Sequence, residues 1–196
     1  MPAFIGDLSS PFAVLGAPKS FSLDEKALET RYYELSKRLH PDRFAAGGAA
    51  AKMKSHELSA ALNKAYVALK QPESRLETLL RSAGALKDGE RATSGQAQIP
   101  AELAEEYFEI QEAVMEDELK ARELIMRFGA TLDGKRQALT QEMFELASKT
   151  DWNDPSATAA KSAIDRIVEL RRQRSYVKSM LDNLARLGSN PGAIHV

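Results

Sequence analysis

The chain has 196 residues, 43% hydrophobic and 28% charged, enough to bury one good core or two small ones. Its 27 Lys and Arg nearly balance its 28 Asp and Glu, which excludes a strongly basic nucleic-acid binder, and the absence of cysteine excludes disulfides and any thiolate-held zinc or iron-sulfur cluster. No run approaches the roughly eighteen apolar residues that a bilayer span needs, and no Lys or Arg precedes Lys19, so no membrane partner and no signal or transit peptide is expected, and the expected location is cytoplasmic.

A first helical pattern runs from Leu23 or Asp24 to Leu39. Leu28, Tyr32, Leu35 and Leu39 recur at spacings of four, three and four, and Ser22 with Glu25 predicts a capping box at its start. His40-Pro41-Asp42 ends the pattern, because a proline ring disfavours helical backbone in the residue before it; an imidazole and a carboxylate are thereby presented on a turn. A second pattern, from about Ala51 to Leu69, carries Leu58, Leu62, Ala65, Tyr66 and Leu69 and is barred from continuing by Pro72. Two antiparallel helices joined by a loop from His40 to about Ala50 follow.

Gly84 to Gln98 holds three glycines and no sustained period, and reads as a linker. Pro100 suits the first turn of a new helix, whose apolar stripe is Leu103, Tyr107, Ile110, Val114, Ala121, Leu124, Ile125 and Phe128, ending at Gly129. A second helix is predicted over about Lys135 to Lys149, with Leu139, Met143, Phe144, Leu146 and Ala147 on its apolar side. Asp151-Trp152-Asn153-Asp154-Pro155 then supplies a break, an N-cap and a first-turn proline, and Trp152 reads as a packing plug. A third helix follows, with Ala160, Ala163, Ile164, Ile167, Leu170, Val177, Leu181 and Leu184 directed inward. Three helices with short connections predict an antiparallel bundle over 99–188, and 189–196 is expected to be a frayed tail.

Charge divides along the chain. Residues 1–83 hold twelve Lys and Arg against nine Asp and Glu, whereas residues 102–118 hold eight Asp and Glu and no base. A solvated helix face is one reading of that acidic run. Phe108 gives the other: it lies about 100° around the helix from the stripe, near Ala104, Glu112 and Met115, and makes either a docking patch or a residue tucked against the N-terminal domain. No nucleophile motif and no phosphate loop after a strand is present, so no enzyme and no cofactor is expected. No metal-ligand spacing surrounds Asp42, so no metal is expected either.

Three segments together carry a resemblance: Pro11-Phe12-Ala13-Val14-Leu15-Gly16, Leu39-His40-Pro41-Asp42-Arg43-Phe44, and Leu62-Asn63-Lys64-Ala65-Tyr66 followed by Leu69, Pro72 and Arg75. The short leading helix, basic helix, HPD turn and antiparallel helix resemble a J-domain. Phenylalanine after HPD-Arg is similar to the HscB family of iron-sulfur J-type co-chaperones, and the likeness covers nearly the whole chain. It implies an all-α fold: a J-domain over 1–83, a linker over 84–98 and a C-terminal three-helix client-binding bundle. It implies that His40, Pro41, Asp42, Arg43, Lys26, Arg31, Lys37 and Arg38 contact a seventy-kilodalton heat-shock-type chaperone, Asp42 engaging an arginine of that partner. It implies further that Leu103, Phe108, Glu109, Glu112 and Glu116 hold an iron-sulfur scaffold protein; a J-domain adaptor for a different client is the alternative. The chain departs from the family pattern at Glu169, where an aromatic is expected near the middle of the third bundle helix.

Overall fold

The computed structural model describes residues 8, 10–40, 44, 47–87 and 101–189. Pro41, Asp42 and Arg43, most of the expected linker, and the tail beyond Ser189 lie outside the described residues. The described chain is helical and has no strand: α1 Pro11–Leu15, α2 Glu25–Leu39, α3 Gly48–Lys70, α4 Pro72–Ser82, α5 Ala101–Glu116, α6 Glu118–Lys149 and α7 Thr158–Ser189. Contacts divide it into two compact units, one of 1–88 with 147–164 and one of 89–146 with 165–196.

In the first unit α3 packs against α1, α2 and α4. Leu28, Leu35 and Leu39 of α2 are buried, as are Leu62, Ala65 and Leu69 of α3 and Leu76, Leu79 and Leu80 of α4. Each fully buried leucine stabilises by about 2 kcal/mol relative to an exposed one. The two half-buried tyrosines of the predicted stripes meet face to face, Tyr32 and Tyr66 stacking at 4.2 Å and 16°, while the Tyr32 hydroxyl donates to Asn63 Oδ1 at 2.9 Å.

Three local expectations are corrected here. The cap of α2 is Asp24, whose Oδ1 accepts from the backbone of Lys26 and Ala27 at 2.9 and 3.1 Å; Ser22 instead donates its backbone N–H to Ser20, so the Ser22–Glu25 box does not form. The third helix of the unit begins at Gly48, three residues earlier than its apolar pattern. Pro72 does end α3, through an extended Gln71 (ψ 135), but it also opens α4 as its first residue, a helix that the periodicity left unassigned because eleven residues give few repeats.

Residues 147–164, which include the turn between α6 and α7, are grouped with the first unit. Trp152 is buried and its indole donates to the Ala147 carbonyl at 2.9 Å, which makes it the expected packing plug. Asp154 caps as expected, accepting from the backbone of Ser156 and Ala157, but regular helix starts only at Thr158. The Ser156 hydroxyl donates to the same Asp154 oxygen and holds that carboxyl below its ordinary range.

In the second unit the helix boundary differs most from expectation. The predicted break at Gly129 is absent, and both Gly129 and Gly134 sit inside α6, which runs 32 residues. Each glycine costs about 1 kcal/mol there. The stripe of Leu124, Phe128, Leu132, Leu139 and Met143 is buried across them and outweighs that cost. The break falls at Asp117 instead. Its N–H still bonds Ala113 of α5, its carbonyl accepts from Ala121, and its Oδ1 accepts from the backbone of Leu119 and Lys120. One residue thus closes α5 and caps α6. The helices are tied by Arg166 of α7, whose Nη2 lies 2.8 Å from Glu142 of α6, while Tyr176 of α7 has its pKa raised by burial and by Tyr107 of α5.

Candidate functional site

Two exposed surfaces carry the candidate residues, one in each unit. The first is the end of α2. His40 is its C-cap, exposed, with ψ at 132, so the backbone has left the helix by the time it reaches Pro41. The Leu39 carbonyl just before it accepts from the Ser55 hydroxyl at 2.5 Å and lies 3.5 Å from that of Ser59, both on α3. Ser55 has no exposed surface.

Lys26, Lys37 and Arg38 are exposed, and the last two occupy the final turn of α2, where positive charge suits the helix dipole. Arg31 is half-buried and lies 3.5 Å from Glu34. Helical spacing places Lys26 with Lys37 on one row and Arg31 with Arg38 on another, about 120° around the helix. The expected basic residues are therefore two narrow rows, interrupted by Glu29 and Glu34, and not one patch.

The second surface is α5. Phe108 and Met115 are exposed by 64% and 69%, seven residues apart on one row, with exposed Glu105, Glu109, Glu112 and Glu116 beside them. Leu103 is corrected: it is only 7% exposed and lies in the core, so it is no part of the patch surface. The acidic pairs Glu105–Glu109 and Glu112–Glu116, each four residues apart, cost the helix about 0.2–0.5 kcal/mol apiece, and its last turn holds no base to offset them. Two large apolar residues on such a helix, both facing solvent, lower its solubility and add nothing to its core.

Leu119 and Met126 of α6 are also exposed, by 79% and 72%. Both fall off the buried Ala121–Leu124–Phe128 stripe. Glu169, at the position of the expected aromatic, is exposed, with Gln173 3.2 Å and Arg172 3.8 Å away.

Among the described residues no three acidic or histidine side chains converge as metal ligands, and no helix is long and apolar enough to cross a membrane. What both surfaces offer is contact: a turn at the end of a helix in one unit and an acidic, partly apolar helix face in the other.

No family model matches the chain. Human co-chaperone protein HscB superposes with a TM-score of 0.56 at 20% identity, covering 90% of this chain and 81% of that one. The chain has the HscB fold. HscB from Vibrio cholerae aligns over 89% of this chain and 99% of its own at 24% identity, with a TM-score of 0.48. In this chain α2 ends at His40 and α5 carries Phe108.

Proposed function

We propose that the protein is a J-type co-chaperone that stimulates the ATPase of a seventy-kilodalton heat-shock-type chaperone and delivers an iron-sulfur scaffold protein to it. The observation that carries this reading is the end of α2: His40 caps it in extended conformation and the sequence continues Pro41-Asp42-Arg43-Phe44. The likeness of the fold to human co-chaperone protein HscB supports it. In this reading Asp42 engages an arginine of the chaperone's ATPase domain and favours its hydrolytically competent state, while Lys26, Arg31, Lys37, Arg38 and Arg43 supply a positive field. Each such rim charge affects encounter rate and contributes at most about 1 kcal/mol.

Phe108, Glu109, Glu112 and Glu116 hold the client, with Phe108 as apolar anchor and the carboxylates selecting a basic surface. Both surfaces belong to one chain, so a bound client meets the chaperone at an effective concentration of roughly millimolar, and weak contacts suffice for delivery. Glu169 favours one second reading, an adaptor for a different client, because a carboxylate stands where an aromatic anchor would bind.

Two variants test the two halves separately. Asp42→Asn is expected to abolish ATPase stimulation while leaving the circular dichroism spectrum and Tm unchanged; normal stimulation by this variant sinks the chaperone half. In a calorimetric titration of purified scaffold, Phe108→Ala with Glu112→Ala is expected to weaken binding at least about tenfold, the loss that one buried anchor typically carries. A wild-type protein that stimulates the ATPase yet binds no scaffold is the adaptor.

A further inference from the structure

Ser55 is a buried polar side chain whose hydroxyl bonds, among the described residues, to the helix end that presents His40. It sits on α3 with no exposed surface, and its hydroxyl reaches across the hairpin to the Leu39 carbonyl at 2.5 Å. That carbonyl is among the last four of α2, which have no partner inside the helix. A peptide unit is planar, so the oxygen of Leu39 and the nitrogen of His40 lie in one plane. Holding the oxygen therefore sets the plane in which the chain enters His40. Ser59 lies one turn further along α3, its hydroxyl 3.5 Å from the same oxygen, at the limit of a bond, so Ser55 does most of the holding.

Leu39 is itself fully buried, so its carbonyl is out of reach of water, and the Ser55 hydroxyl both satisfies that oxygen and fixes its direction. A serine in a site closed to solvent must find a partner, and the partner here is the peptide that joins the basic helix to His40.

We propose that Ser55 is a positioning residue for the chaperone contact: through the Leu39 carbonyl it fixes the heading at which the chain leaves α2 at His40. The inference rests on the J-type reading given above. Contacts of this kind are sensitive to placement, and an error of about an ångström in a reacting or docking group costs far more rate than the bond itself costs in stability.

The test compares Ser55→Ala, Ser55→Cys and a control, Leu76→Val, which thins the core at α4. All are assayed for stimulation of the chaperone's ATPase well below their melting temperatures, with the full chain. Ser55→Ala is expected to lower maximal stimulation at least about threefold and to shift the amide resonance of His40. Ser55→Cys, a weak donor of similar shape, is expected to fall between Ala and wild type. Leu76→Val is expected to lose Tm but no stimulation. Equal stimulation by Ser55→Ala and wild type overturns the inference and leaves the J-type reading in place. Equal losses in Ser55→Ala and Leu76→Val also overturn it, since the effect is then one of stability. A wild-type protein with no stimulation overturns both.

Discussion

Arg75 shows how much one side chain decides in the first unit. Its guanidinium is almost fully buried and donates to three carbonyls, Leu69 at 2.8 Å, Phe21 at 2.8 Å and Lys70 at 3.2 Å, while Glu25 stands 3.8 Å away. Two of those oxygens are the orphans that end α3, and the third belongs to the loop before α2. Burial lowers the pKa of the guanidinium and the Glu25 charge raises it, yet arginine remains ionised because its ordinary value lies so far above neutral pH. A planar fork can serve three carbonyls at once, and a lysine ammonium on its flexible stem cannot match that geometry. Arg75→Met is therefore expected to lower unfolding free energy by about 3 kcal/mol or more, since it leaves buried carbonyls without donors. Urea unfolding should show a lower midpoint with an unchanged slope. A loss under about 1 kcal/mol means that water replaces the guanidinium and that these bonds do not fasten the unit. The sequence marked Arg75 only as part of a resemblance; no spacing rule brings it to Phe21, 54 positions away.

Helices were legible where apolar repeats were long, and their ends were legible only where a residue acts alone. Leu28, Leu35 and Leu39, then Leu62, Ala65 and Leu69, are buried as their spacing requires, and Tyr32 meets Tyr66 across the hairpin. Gly129 misled, because glycine marks a helix end only when a left-handed residue or a missing stripe accompanies it. Neither holds in α6. A Cβ added at Gly129 or at Gly134 would meet nothing within 4 Å, so neither glycine is there for close packing. Gly129→Ala and Gly134→Ala are each expected to stabilise by about 0.5–1 kcal/mol and together to raise Tm by a few degrees. A fall in Tm would show that α6 has to bend at these positions. Asp117 was the signal that periodicity passed over: an aspartate followed by Glu118 is a cap, yet it sat inside a run of carboxylates and read as charge.

At the scale of the molecule, two units share the long pair α6 and α7. Sequence reasoning divided the chain once, between residues 83 and 99, and assigned everything beyond to a bundle. The contacts instead group 147–164 with the N-terminal residues. α6 and α7 run 32 residues each, about 48 Å, against sixteen for α5. The exposure of Phe108 followed from helical phase, and the burial of Leu103 did not, since phase gives a row on one helix and not which rows a neighbour covers.

By itself the sequence determined the helical class, the hairpin that ends at His40 and the acidic helix with Phe108 on its outer row. These are local matters: period, a proline, a run of carboxylates. Only the tertiary structure decided that Ser55 holds the Leu39 carbonyl, that Arg75 ties Phe21 to the end of α3, that Leu103 is core, and that the tip of the α6–α7 pair belongs with the first unit. Each depends on which buried groups meet across tens of residues, where an unpaired donor or acceptor is costly, and the pattern along a single helix does not encode that pairing.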